Sequence, residues 1–197
     1  CVTSTAARVT RRGRDLSEVR QRCAANEPEG LPIVLPLRVM HAPAPDVATA
    51  LLITDEDCRI EDFDLSGLNV CATAALSCTH LRSPRAVVTM VEAFERAALA
   101  DAAARLDVSP TQLKADDPRD LANWAFACGV KQIFTPYVTR GPLRDWLTRA
   151  EPILAQHSIT LCEQRRKWDD AIWPHATAGF FKVRKKIPRI LEEMGLA

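Results

Sequence analysis

Apolar and polar positions along the chain change rhythm several times, and each change marks an element. Ala48 to Thr54 (ATALLIT) is a short unbroken apolar run ending in Asp55-Glu56-Asp57, the pattern of a strand buried on both faces with a loop at its carboxyl end. Leu68 to Leu76 (LNVCATAAL) reads as a second strand, rich in small residues and closed by Ser77-Cys78-Thr79-His80. Between Pro84 and Leu106 the period lengthens. Val87, Val88, Val91, Phe94, Ala98 and Leu99 recur at helical spacing, with Glu92, Glu95, Arg96 and Asp101 on the opposite side. Ser83-Pro84 supplies an N-cap and a first-turn proline for that helix. Ser109-Pro110 predicts a short helical turn, and Asp116-Asp117-Pro118-Arg119-Asp120 opens a helix through Leu121, Trp124, Ala125 and Cys128 that Gly129 closes.

The densest signal runs from Val130 to Arg166. A β-rich run (Val130 to Val138), a helix opened by Gly141-Pro142 and a second β-rich run (Ile159 to Arg165) form one βαβ crossover. A crossover of this kind implies a parallel sheet with helices on both faces, so the fold class is α/β. The chain then continues through Lys167 to His175 and Gly179 to Gly195. That tail sets Phe180, Phe181, Val183, Ile187, Ile190 and Leu191 among Lys182, Arg184, Lys185, Lys186 and Arg189. It reads either as docked terminal helix flanked by solvated charge or as an edge that faces phosphates.

Ahead of the first strand the pattern is different. Cys1 to Gly30 is polar and basic (Arg8, Arg11, Arg12, Arg14, Arg20, Arg22), with one helical candidate from Ser17 to Ala25. Pro28, Pro32, Pro36, Pro43 and Pro45 exclude a regular helix or central strand over the next stretch. Residues 1–46 are therefore expected to be a basic arm and a proline-rich linker, and 47–197 the α/β domain. The Ile33 to Met40 segment is suited to packing on an apolar surface such as a partner domain.

Composition narrows the function classes. With 197 residues and 47% hydrophobic positions the chain suits one globular domain with an appendage, and a net charge of +1 gives no global drive toward nucleic acid or membrane. Seven cysteines, an odd number without C-x-x-C spacing, suggest a reducing, cytoplasmic setting with neither a disulfide framework nor a zinc site. No apolar run approaches the roughly 18 residues of a membrane span. There is no G-x-G-x-x-G, Walker lysine loop, G-x-S-x-G elbow or H-E-x-x-H pair, so no motif supports catalysis complete within the chain.

Candidate chemistry gathers at strand ends, because open parallel sheets bind ligands beside the carboxyl ends of their strands. Thr54 and Asp55, then Thr79 and His80, then Thr135, Tyr137, Thr139, Arg140 and Gly141 are the residues so placed. Thr139, Arg140 and the amides after Gly141 would hold a phosphate or carboxylate; equally, they are the ingredients of a plain strand-to-helix turn. Asp55 would take a ribose or ring donor, and Tyr137 would stack on a ring. The acidic run after the first strand either binds a cation or shapes a surface loop, and His80 either titrates in a cleft or hydrogen-bonds its own loop.

The run Asp117-Pro118-Arg119-Asp120, the helix ending at Gly129, the strand Gln132-Ile133-Phe134-Thr135-Pro136-Tyr137 and the closing Trp173-Pro174-His175-Ala176-Thr177-Ala178-Gly179-Phe180-Phe181-Lys182-Val183 resemble the α/β domain of DNA photolyases and cryptochromes, over residues 48–190. The resemblance implies a parallel sheet of about five strands, Rossmann-like, that carries an antenna chromophore (folate or flavin) or buttresses a helical domain holding FAD and damaged DNA. The family's opening strand signature and its helical flavin domain with a tryptophan relay are missing. Trp124, Trp146, Trp168 and Trp173 fall on helices, where packing accounts for them.

The expected function is thus an accessory photolyase-like domain for light-dependent DNA repair or light sensing, not catalytic alone. Its partner would be a helical flavin-binding domain of the same gene product, upstream of Cys1, or of a separate chain; the parent would be a deoxyribodipyrimidine photo-lyase-like flavoprotein that meets DNA. The alternatives are an interaction domain with an empty cleft and an independent small-molecule enzyme of the nucleotide-binding α/β class.

Overall fold

A computed structural model of the chain describes residues 36–177 and 179–196. The helix expected over Ser17–Ala25 and the arginines from Arg8 to Arg22 lie outside them. Residues 37–197 cluster as one unit. It is built on five parallel strands, β1 (Ala48–Thr54), β2 (Asn69–Ser77), β3 (Thr111–Lys114), β4 (Gln132–Pro136) and β5 (Thr160–Gln164), in the order β3-β2-β1-β4-β5. The helices are α1 (Thr89–Arg105), α2 (Pro118–Ala127), α3 (Pro142–Gln156), α4 (Lys167–Ile172), α5 (Gly179–Arg184) and α6 (Ile187–Glu193). This is the expected α/β, Rossmann-like arrangement. None of the described helices is long and apolar enough to cross a membrane.

Strand β1 sits at the centre because nearly all of its side chains are apolar and can be buried on either face. Ala50, Leu52, Ile133 and Leu161 turn toward α2 and α3, meeting Leu121, Ala122, Leu143, Trp146 and Leu147. Leu51, Ile53, Ala75 and Phe134 turn the other way, onto Leu99, Ala102 and Ala103 of α1 and onto Ile60 and Phe63. The β1–β2 connection contains no α-helix, only a 3-10 turn at Ile60–Asp62. Phe63 fills that gap, edge-on to Phe134 at 5.7 Å between ring centres. Gly129, at φ 70°, ends α2 in the left-handed conformation that glycine adopts without strain.

Four expectations need correction. The helix expected to open at Ser83-Pro84 begins instead at Thr89, with Val88 as its N-cap residue. The short helical turn expected at Ser109-Pro110 is instead an irregular lead into β3, whose four residues pair with β2 through Ala74↔Thr111 to Ser77↔Lys114. The apolar stripe of α1 is only half buried. Val88, Val91 and Phe94 are exposed, Phe94 by 75%, while burial falls on Leu99, Ala102 and Ala103, where the helix lies over the sheet. Glu95, read as a solvent-side charge, is buried.

The proline-rich strip also finds a place. His41 accepts the Glu163 amide at 2.9 Å along the free edge of β5, and Ala44 exchanges two hydrogen bonds with the Gln132 side chain, at 3.0 and 2.8 Å. Residues 37–45 thus close an edge and one face of this sheet, a role that prolines without amide donors tolerate.

Candidate functional site

Because all five strands run the same way, their carboxyl ends share one rim, and the strand order reverses between β1 and β4. Such a reversal is where an open α/β sheet leaves a crevice. The sequence-derived residues Thr54, Asp55, Thr79, His80, Tyr137, Thr139, Arg140 and Gly141 all fall at this end of the sheet, and their side chains are largely engaged with the protein itself.

At the β1 end, Asp55 receives both guanidinium nitrogens of Arg82 (2.6 and 2.9 Å) and the Cys78 thiol (2.9 Å). The ribose or ring donor expected at Asp55 would have to displace that fork. Arg82 also reaches Glu56 at 2.9 Å. Further along the acidic loop, Asp57 pairs with Arg166, Glu61 with Arg105 at 2.6 Å and Asp62 with Arg59 at 2.9 Å. The carboxylates from Asp55 to Asp62 are thus each paired with an arginine, while Asp64 accepts from the Ser66 amide and hydroxyl. Thr54 itself is buried, its carbonyl accepting the Asp57 amide.

At the β2 end, Glu95 reaches across from α1 and accepts the backbone amides of Cys78 (2.6 Å) and Thr79 (2.8 Å). Sequence reasoning missed this residue, since helical periodicity places it on the polar side and nothing in the spacing marks its reach. Asp55, Cys78 and Glu95 each bring a ligand-type atom within 4.8 Å of the others, a donor set with the chemistry to hold a soft divalent ion. Each donor nevertheless has a partner already. Burial, then the adjoining Asp55 carboxylate, push the Cys78 thiol far up, which favours the protonated form that donates to Asp55. His80 sits beside the Ala115 carbonyl (3.2 Å) and Asp116 (3.1 Å), and with Ser77, Thr79, Glu92, Arg96 and Lys114 borders a small polar cleft of about 200 Å³.

At the β4 end, Glu163 of β5 governs the turn. Its carboxylate accepts the Val138 amide at 3.0 Å, Arg144 at 3.1 Å and Arg38 at 2.8 Å. The Tyr137 ring, expected to stack on a ligand, is enclosed by guanidinium groups of Arg38 and Arg165, 4.7 and 5.1 Å from its centre, and by Trp173 edge-on at 5.5 Å. Thr135 is fully buried, and its hydroxyl has no hydrogen-bond partner among the described residues. Thr139 and Arg140 are exposed. Gly141, at φ 156° and ψ −177°, occupies backbone space nearly restricted to glycine, which lets α3 begin at Pro142.

The rim therefore brings the expected residues to one edge of the sheet, where Asp55, Cys78 and Arg82 tie the β1 and β2 ends to each other and Glu163 holds the β4 end. A hollow of about 460 Å³ is lined by residues of the Met40–Pro45 strip, by Asp64, Gly67 and Leu68, and by Glu163 and Gln164 of β5. Compared with known proteins, the chain matches no protein-family model and no curated protein.

Proposed function

We propose that this chain is an accessory α/β scaffold in a photolyase-like flavoprotein, one that docks a helical flavin-binding domain and leaves pigment binding to that partner. The observation that carries this reading is the uncovered front of α1. Val88, Met90, Val91 and Phe94 are exposed together, Met90 by 81%, on one turn-and-a-half of helix. Arg85, Glu92 and Arg96 are exposed beside them. An apolar centre with a charged margin is the composition of a protein-protein contact, and a contiguous patch of this kind is uncommon on a surface that faces only water. The closed strand-end rim supports the second half of the proposal, because Arg82, Arg38 and Arg165 occupy the places a chromophore would need.

The partner follows from the resemblance to photolyases, whose α/β domain is joined to a helical flavin domain. Sedimentation of the chain mixed with such a domain should give a stoichiometric complex, lost in Met90→Asp/Phe94→Asp. Absence of the complex, or a visible absorption band from the purified chain alone, would overturn the proposal.

A further inference from the structure

The C-terminal helices hold a second kind of site, one made of unpaired positive charge. Around the sheet many cations are engaged, with Arg38, Arg82, Arg105, Arg144 and Arg166 all in ion pairs. The tail is different. Between His175 and Arg189 the sequence places five Lys and Arg and no acidic residue. Lys182, Lys185 and Lys186 make no ion pair among the described residues, and all three are exposed. Lys182 lies in α5, and Lys185 and Lys186 in the turn between α5 and α6. The chain reverses there, with the Lys186 amide donating to the Val183 carbonyl at 2.8 Å.

These lysines do not point from a flat face. With Pro174, His175 and Thr177 they line a hollow of about 360 Å³. A second hollow of about 170 Å³ is lined by His175, Lys186, Arg189, Ile190 and Glu193, so the two hollows share His175 and Lys186. Arg189 in the second hollow is partly neutralised by Glu193 at 2.6 Å. The first hollow has no carboxylate in its lining. Holding three ammonium groups together costs electrostatic self-repulsion, which an anion of matching charge would relieve. Lysine ammonium groups are mobile point charges suited to phosphate oxygens, and a threonine hydroxyl adds a neutral donor.

We propose that this hollow binds a compact polyphosphate group, such as the tail of a nucleoside triphosphate or a short inorganic polyphosphate. Three ammonium groups balance several adjoining phosphates better than one, and a concave site suits a compact anion more than an extended strand. The proposal stands apart from the docking role of α1, whose test neither uses nor touches these residues.

The test is thermal unfolding and calorimetric titration of the full chain with sodium tripolyphosphate at low ionic strength and without divalent metal. Tripolyphosphate and ATP should raise Tm, whereas AMP and inorganic phosphate should need far higher concentrations. Each exposed ammonium-phosphate contact is worth roughly a factor of five, so Lys182→Gln/Lys185→Gln/Lys186→Gln should weaken binding about a hundredfold. Circular dichroism should show that variant folded, since all three side chains lie at the surface. Lys131→Gln/Arg149→Gln, which removes two exposed cations elsewhere, should bind as the parent does. The proposal is overturned if the triple variant binds normally, if Arg8→Gln/Arg11→Gln/Arg12→Gln abolishes binding instead, or if AMP binds as well as ATP. Stronger binding of a single-stranded oligonucleotide at equal phosphate concentration would overturn it too.

Discussion

Replacing Glu163 tests the reasoning about how the rim is held. Its side chain is 3% exposed and joins the turn after β4, helix α3 and the strip at Arg38. Glu163→Ala leaves the Arg144 guanidinium, itself 6% exposed, without its buried counter-charge, and leaves the Val138 amide without an acceptor. Loss of one partner from a buried ion pair costs about 3–5 kcal/mol, because the remaining charge stays desolvated. Arg38 can turn toward water and Arg144 keeps the half-exposed Glu151, so the lower end of that range applies to the pair, with roughly 1 kcal/mol or more added for the amide. In a chain of this length each kcal/mol lowers Tm by about 2–4 °C, so a loss of about 4–5 kcal/mol gives a fall of roughly 8–20 °C. Urea titration should show the midpoint falling with little change in slope, as expected for lost stability without a new denatured state. Arg144→Met/Glu163→Met removes both charges and should be more stable than Glu163→Ala alone. A loss below about 1 kcal/mol in Glu163→Ala, or a double variant no better than the single one, would refute the account of a desolvated, mutually dependent pair.

Other consequences can be measured separately. Glu95→Ala should destabilise the fold by about 2–4 kcal/mol through the two orphaned amides, and should speed hydrogen exchange at Cys78 and Thr79; unchanged exchange there would contradict the hydrogen-bond assignment. Thr135→Val removes a buried hydroxyl that has no partner among the described residues and should be neutral or stabilising by about 1 kcal/mol in chemical denaturation; a marked loss would reveal a hydrogen bond at that hydroxyl. In the native protein a thiol reagent at neutral pH should modify Cys71 and Cys128, which are exposed, well before Cys78 and Cys162, which are buried, and equal rates would count against the burial described. Burial, then Glu163, push the Cys162 thiol up to about 11 from its ordinary 9.0, so its protonated form is favoured in the folded state. Its contribution is complete below pH 9 and lost as pH climbs toward 11; Cys162→Ala should flatten that part of a stability-pH curve.

The parts of the fold that could be read from sequence are those in which local pattern and tertiary role agree. ATALLIT is both an apolar run and a strand buried on two faces, and its structural bounds coincide with the pattern. Gly141-Pro142 marks the start of α3 because glycine's backbone freedom and proline's missing amide act on the residues themselves. β3 was illegible for the opposite reason: Thr-Gln-Leu-Lys has one apolar side chain and is strand only because β2 offers a free edge. The front of α1 carries core-like periodicity, yet the sheet ends before it can cover Val91 and Phe94. At the rim, the sequence could place Asp55 and Tyr137 at strand ends but not reveal that arginines would fill the space beside them. Arg38 and Glu163 are 125 positions apart, and no local spacing announces such a pair.

That separation has a bearing on how the protein is made. The strip at Leu37–Pro45 leaves the ribosome early, and the strand edge it must cover is among the last parts of the sheet to emerge. Until both are free, β5 has no cover for its outer hydrogen-bonding row and the strip has no surface to settle on. Closure of that edge must therefore wait for synthesis of Glu163, and nascent chains crowded on one message are most exposed to pairing with each other in the interval between its emergence and the settling of the strip.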